Sequence, residues 1–167
     1  LLLVKCTFPY FRRVFLPMLT IQTRWLIISL VLGILFAMFA SYLQTLFPPE
    51  EGLNTVITTA YQGSGFSQLL ILVCVILLAP FFEEYLFRGI VLDSFKQRFG
   101  ANLSILFSSV FFTFFHLFEY HQYWLAFFAI FCLAIMLAFI RHKSESMLNP
   151  ILLHATYNLT IMLLSSN

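Results

Sequence analysis

Residues 66–92 read FSQLLILVCVILLAPFFEEYLFRGIVL. The run is long enough and apolar enough to cross a bilayer, yet it holds Glu83, Glu84 and Arg88. A charge near the bilayer centre costs ~2.5–3.5 kcal/mol on insertion scales, so three cost roughly 8–10 kcal/mol. The apolar residues return about 0.3–0.6 kcal/mol each, of order 5–10 kcal/mol for the run. The segment inserts by a narrow margin. Charges held at that cost normally face a protein interior or a wet cavity and serve a function there.

The rest of the chain has the same character. Of 167 residues 61% are hydrophobic and only 10% charged, against about 25% charged in soluble domains. The apolar runs are continuous rather than alternating, which points to helices and not a barrel. The expected fold is all-α, a polytopic transmembrane helical bundle with the lipid bilayer as its partner. A net charge of +2 and the lack of a basic patch with interleaved aromatics exclude a nucleic-acid surface. Cys6, Cys74 and Cys132 are spaced too irregularly for a zinc ribbon or a disulfide framework. No removable signal peptide is evident. Residues 1–24, with Lys5, Arg12, Arg13 and Arg24, read as an interfacial or truncated segment, and the opening Leu1 suits a trimmed chain.

Five spans are expected: Trp25–Phe47, Phe66–Leu92, Leu103–Phe118, Tyr123–Ile140 and Leu148–Leu164. Gly100 and Asn102 break the chain before the third, and Pro150 opens the fifth. Residues 1–65 form an N-terminal part (interfacial segment, first helix and loop), and residues 66–167 a core. Apart from Arg88, the Lys and Arg residues fall on one side, with Glu50, Glu51 and Glu119 on the other. The positive-inside rule then places the N-terminus in the cytoplasm. The compact chain suits a bacterial cytoplasmic membrane. Asp93 with Lys96 reads as an interfacial pair, and Trp25, Tyr123 and Trp124 as span-end aromatics.

Helical spacing sorts the polar residues. Glu84 and Arg88 are at i and i+4 and can pair. Glu83 is rotated by about 100° and left free, in the desolvated position of a general base. Pro80 removes a backbone donor and kinks the helix beside it. Phe112 and His116 repeat the i, i+4 spacing on the third span, with Ser108, Ser109 and Thr113 as small polar groups at a helix contact. His154 and Asn158 repeat it on the fifth. Each has a plainer reading: an ion pair for Glu84 with Arg88, a packing hydrogen bond for either histidine, helix glue for Asn158. Taken together, three apolar helices supply a base, a second proton handler and oxyanion donors, the parts for hydrolysis. His121 and His142 read as loop or interface residues.

At these residues the sequence resembles the CPBP intramembrane proteases (CAAX proteases and bacteriocin-processing or immunity proteins, also called Abi). The E-E-x-x-x-R motif matches Glu83, Glu84 and Arg88 in LLAPFFEEYLFRGIVLDSF, residues 77–95. F-x-x-x-H matches Phe112 and His116, and H-x-x-x-N matches His154 and Asn158 in NPILLHATYN, residues 149–158. The resemblance covers roughly residues 66–167. It implies that Glu83 activates a water with help from His116, that His154 and Asn158 stabilise an oxyanion, and that Glu84 and Arg88 support the site. It implies an endopeptidase acting on a membrane-associated and in some relatives lipidated substrate, in CAAX-type processing or bacteriocin maturation and self-immunity. The family has also been called metalloproteases. Glu83, His116 and His154 could form a carboxylate–His₂ zinc site, but there is no H-E-x-x-H, and a metal-free glutamate mechanism is favoured. A non-enzymatic immunity or binding protein is the alternative, and an ion carrier using Glu83 and Glu84 a third reading.

One expectation conflicts with a shared site. At 1.5 Å per residue, Glu83 lies ~15 Å and His154 ~9 Å from the cytoplasmic end, but His116 ~20 Å.

Overall fold

The structure, a computed structural model, describes residues 20–49, 64–117 and 123–165. Helix α1 spans Thr23–Leu46. A long helical run follows: α2 (Gly65–Val73), a π-helical turn (Cys74–Leu78), α3 (Ala79–Glu84), a second π turn (Tyr85–Val91) and α4 (Leu92–Phe115). Helices α5 (Trp124–Ser144) and α6 (Leu148–Ser165) complete the fold. The described residues contain no β-strand.

The run from Gly65 to Phe115 turns a corner at Gly100, where φ is 77° and ψ 178°. A side chain is disfavoured at that φ, and glycine has none. The expected break falls there, so the second and third expected spans become two arms of one continuous element. The second arm ends at Phe115, with His116 as its non-helical cap. Phe118, the expected end of that span, lies outside the described residues, as do Glu50, Glu51, Glu119 and His121.

Among the described residues, Thr23–Leu46, Gly65–Phe115 and Trp124–Ser144 are long and apolar enough to cross a membrane. Helix α6 is not in that set; Asn149, His154 and Asn158 dilute its apolar run. Large apolar side chains cover the outside, among them Leu35, Phe39, Leu77, Phe82, Phe115 and Phe128. Soluble monomers rarely expose contiguous apolar patches beyond a few hundred Å². The protein is an integral membrane protein, and these faces are its lipid contact.

Helix α5 is the most enclosed of the three, with 44% of its apolar stretch buried against 17% and 6%. Its Ile130 and Ala134 pack with Phe87 and Phe112, and its Leu133, Leu137 and Ile140 pack with Leu153 of α6. Helix α1 lies on α6 through Ser29, Gly33 and Ala37, its three buried residues. A Cβ at Gly33 would stand 2.7 Å from the Leu153 carbonyl oxygen and 3.0 Å from Thr156 Cβ, so only glycine allows this approach. The spacing S-x-x-x-G-x-x-x-A places these three small residues on one face of α1.

Hydrogen bonds tie the helix ends. At one end Gln22 Nε2 donates to the Ser144 carbonyl at 2.8 Å, and Ser146 Oγ donates to the Thr20 carbonyl at 2.8 Å. At the other, Tyr123 Oη donates to the Phe47 carbonyl. Helices α1 and α5 are therefore antiparallel. Asp93 pairs with Arg141 at 3.4 Å. The expected ion pair with Lys96 is not the one formed: Arg141, buried at the end of α5, takes the Asp93 carboxylate across the helix contact.

Candidate active site

Two π turns frame the six-residue helix that carries the glutamates. Such wider turns interrupt α-helices mostly at functional sites. Pro80 is the second residue of α3, and its missing N–H breaks the regular ladder just before Glu83.

Arg88 and Glu84 are fully buried. Arg88 Nη1 donates to Glu84 Oε1 at 3.1 Å, and Nη2 to the Ala134 carbonyl on α5 at 3.0 Å. The guanidinium carbon also stands 4.3 Å from the centre of the Phe112 ring, a cation–π contact strengthened by the dry setting. A buried pair is tolerated only with further hydrogen bonds of this kind.

Glu84 Oε1 has a second partner, His154 Nδ1 at 3.0 Å. An ionised carboxylate only accepts, so Nδ1 is the donor and Nε2 points away from Glu84. That Nε2 lies 3.9 Å from Glu83 Oε2. His116 repeats the arrangement from the cap of the second arm. Its Nδ1 lies 2.9 Å from the Phe112 carbonyl, so Nδ1 is the donor here too, and its Nε2 lies 3.8 Å from Glu83 Oε2. Glu83 Oε2 is buried and accepts no hydrogen bond from the protein. Two imidazole Nε2 atoms thus converge on one carboxylate oxygen. The carboxylate and one of these nitrogens can hold a water between them, and the carboxylate can remove one of its protons.

Phe112 is the wall behind this cluster. It is buried, and its ring centre lies 4.6 Å from that of His116, 5.7 Å from that of His154 and 5.1 Å from that of Phe87. Ser108 Oγ donates to the Phe87 carbonyl at 2.9 Å, pinning the second arm against the second π turn. Asn158 lies one turn beyond His154 on α6 and donates through Nδ2 to the Val75 carbonyl at 2.9 Å. His142 lies in the last turn of α5 beside Arg141 and Lys143, apart from the cluster.

Of the residues picked out from the sequence, the structure brings Glu83, His116 and His154 around one oxygen and sets Glu84, Arg88 and Phe112 directly behind. Asn158 faces the backbone of the first π turn. The depth conflict disappears, because straight helices counted at one rise ignore the Gly100 corner, the two π turns and several ångströms of side-chain reach. Sequence reasoning missed the Ala134 carbonyl, which nothing in the sequence marks, and the Val75 carbonyl, for which Pro80 five residues on was a signal.

A zinc ion would bind Glu83, His116 and His154 with bonds of ~2.0–2.2 Å. Among the described residues no three His, Cys, Asp or Glu side chains are spaced to hold a metal ion, and the 3.8 and 3.9 Å separations are wider than adjacent ligands of one such ion. The side chains as placed do not fit a metal.

No curated protein and no solved structure matches the chain. The sequence model of one family, Type II CAAX prenyl endopeptidase Rce1-like, matches residues 64–160. That match runs from the start of α2 into α6 and takes in Glu83, Glu84, Arg88, Phe112, His116, His154 and Asn158. The chain belongs to the Rce1-like family of CAAX-type endopeptidases.

Proposed function

We propose that this protein is an intramembrane endopeptidase in which Glu83 activates a water for attack on a peptide bond of a membrane-associated substrate. The observation that carries the reading is the buried Glu83 Oε2, without a hydrogen bond, faced by two imidazole nitrogens at 3.8 and 3.9 Å. Separations of this size leave space for a water beside the pair, within about 2.8 Å of both groups.

In the proposed reaction Glu83 takes a proton from the water as its oxygen attacks the carbonyl carbon, and the carbonyl oxygen becomes the oxyanion. His116 Nε2 helps to hold the water. His154 Nε2, 3.9 Å from Glu83 Oε2, takes this proton from Glu83 and donates to the oxyanion; Glu84, on Nδ1, stabilises the imidazolium so formed, as a buried carboxylate does in other hydrolases, and the proton returns to Glu83. The proton on Glu83 then passes to the leaving nitrogen, the C–N bond breaks, and the carboxylate is regenerated. General base catalysis of this kind contributes about 10²–10⁴-fold.

Five membrane crossings, with the N-terminus in the cytoplasm, fit the contacts. The start of α1, the Asp93 turn and the α5–α6 connection meet at one end, and Lys96, Arg141 and Lys143 lie in those turns. That end is the cytoplasmic one by the positive-inside rule. An apolar cavity of about 270 Å³, lined by Val110, Thr113, Trp124, Phe127 and Phe131 among others, runs beside the arm that ends at His116. It supports a substrate with a lipid chain, as the family description also suggests.

The test is cleavage of a quenched fluorescent peptide panel, including a prenylated CAAX peptide, by detergent-purified protein. Cleavage by wild type and none by Glu83→Gln is the expected result, with activity retained under a strong zinc chelator. Equal cleavage by Glu83→Gln overturns the role of Glu83. No cleavage of any peptide favours a binding or immunity protein.

A further inference from the structure

Val75 lies in the first π turn, where N–H groups reach back five residues: the Ala79 N–H donates to the Cys74 carbonyl. The next donor in that register is residue 80, and it is proline, which has no N–H. The Val75 carbonyl is thereby deprived of its partner within its own helix, in a membrane segment where backbone groups must be satisfied by protein. The side chain that reaches it is Asn158, with Nδ2 at 2.9 Å from the Val75 oxygen.

We propose that Asn158 is a positioning residue: its amide supplies the hydrogen bond that Pro80 cannot, and so fixes the rotation of the helix that presents Glu83. The proposal rests on the endopeptidase reading. Helix α6 grips the glutamate segment at two points. Asn158 holds Val75 before the proline, and His154, one turn back on α6, holds Glu84 after it at 3.0 Å. Adjacent helical residues differ by about 100° in direction, so rotation by one residue would put Glu84 where Glu83 stands. A single anchor at Glu84 leaves the segment free to pivot about that contact. Two anchors, one on each side of the break, do not. This differs from a role as an oxyanion donor, which requires contact with substrate and no relation to Pro80.

Pro80→Ala separates the two. The substitution returns a backbone N–H to the position that faces Val75, so that N–H can replace Asn158 as donor but cannot touch an oxyanion. Wild type, Asn158→Ala, Pro80→Ala and the double variant are compared as full chains in detergent, by thermal unfolding and by kcat and KM on a peptide that wild type cleaves. Asn158→Ala is expected to lower Tm by about 2–8 °C. It is expected to lower kcat about 100-fold, the scale of a misplaced catalytic group, with KM little changed. Pro80→Ala keeps kcat within about threefold, and the double variant regains at least about tenfold over Asn158→Ala, the non-additivity of a shared partner. A double variant as slow as Asn158→Ala overturns the proposal, even if its Tm recovers. Pro80→Ser carries the same N–H and replaces the alanine variant if that one does not fold. If wild type cleaves nothing, the endopeptidase reading fails, and the Tm cycle alone decides: recovery in the double variant upholds the shared hydrogen bond, and additive losses refute it.

Discussion

Glu84 and His154 meet at 3.0 Å, between Oε1 and Nδ1. This contact gives two adjacent glutamates opposite duties. Each glutamate has a buried Oε2 without a hydrogen bond, but Glu84 is tied through Oε1 to Arg88 and His154, while the free oxygen of Glu83 faces Nε2 of the same imidazole. One carboxylate orients the imidazole, and the other faces it with an oxygen to spare.

Glu83→Gln keeps the shape and removes the base. It is expected to lower kcat by about 10²–10⁴-fold with Tm unchanged within ~1–2 °C, since Glu83 makes no hydrogen bond through Oε2 in the resting protein. Cleavage assays and thermal unfolding on the same preparation check both halves; a large fall in Tm would mean that Glu83 is structural.

Glu84→Gln leaves Arg88 buried without a countercharge and removes the anion behind His154. A stability loss of about 3–5 kcal/mol is expected, together with a fall in kcat of up to ~10⁴-fold from the lost orientation of the imidazole. Adding Arg88→Met should restore most of the stability and none of the activity. Recovery of both would show that Glu84 serves only the ion pair.

Phe112→Leu preserves most of the volume but removes the ring face from Arg88 and the histidine contacts. The expected cost is about 1–2 kcal/mol, and kcat should fall more than KM rises, since the wall orients His116 rather than binding substrate. Denaturant unfolding and steady-state kinetics measure the two effects.

Gly33→Ala drives a Cβ to 2.7 Å from the Leu153 carbonyl, one residue before His154. Helix α1 must move away, at a cost of about 1–3 kcal/mol. Gly65→Ala, with open space around it, should change stability by no more than ~0.5 kcal/mol. Equal tolerance of both changes would contradict the close α1–α6 contact.

The sequence by itself determined the solvent and marked the polar faces. Apolar run length and charge scarcity fixed an all-helical membrane protein, and the i, i+4 pairs Glu84–Arg88, Phe112–His116 and His154–Asn158 marked the working faces, because those periods are properties of a single helix. The corner at Gly100 was legible for the same local reason. What tertiary structure decided is how faces from three helices meet. The Arg88 bond to the Ala134 carbonyl, the ring of Phe112 beneath Arg88, and the His154 bond to Glu84 all cross between segments far apart in the chain. No period within one helix encodes its rotation against another. Packing sets that, here through the close approach at Gly33 and the Asn158 bond to Val75, and it is that rotation that brings His116 and His154 around Glu83.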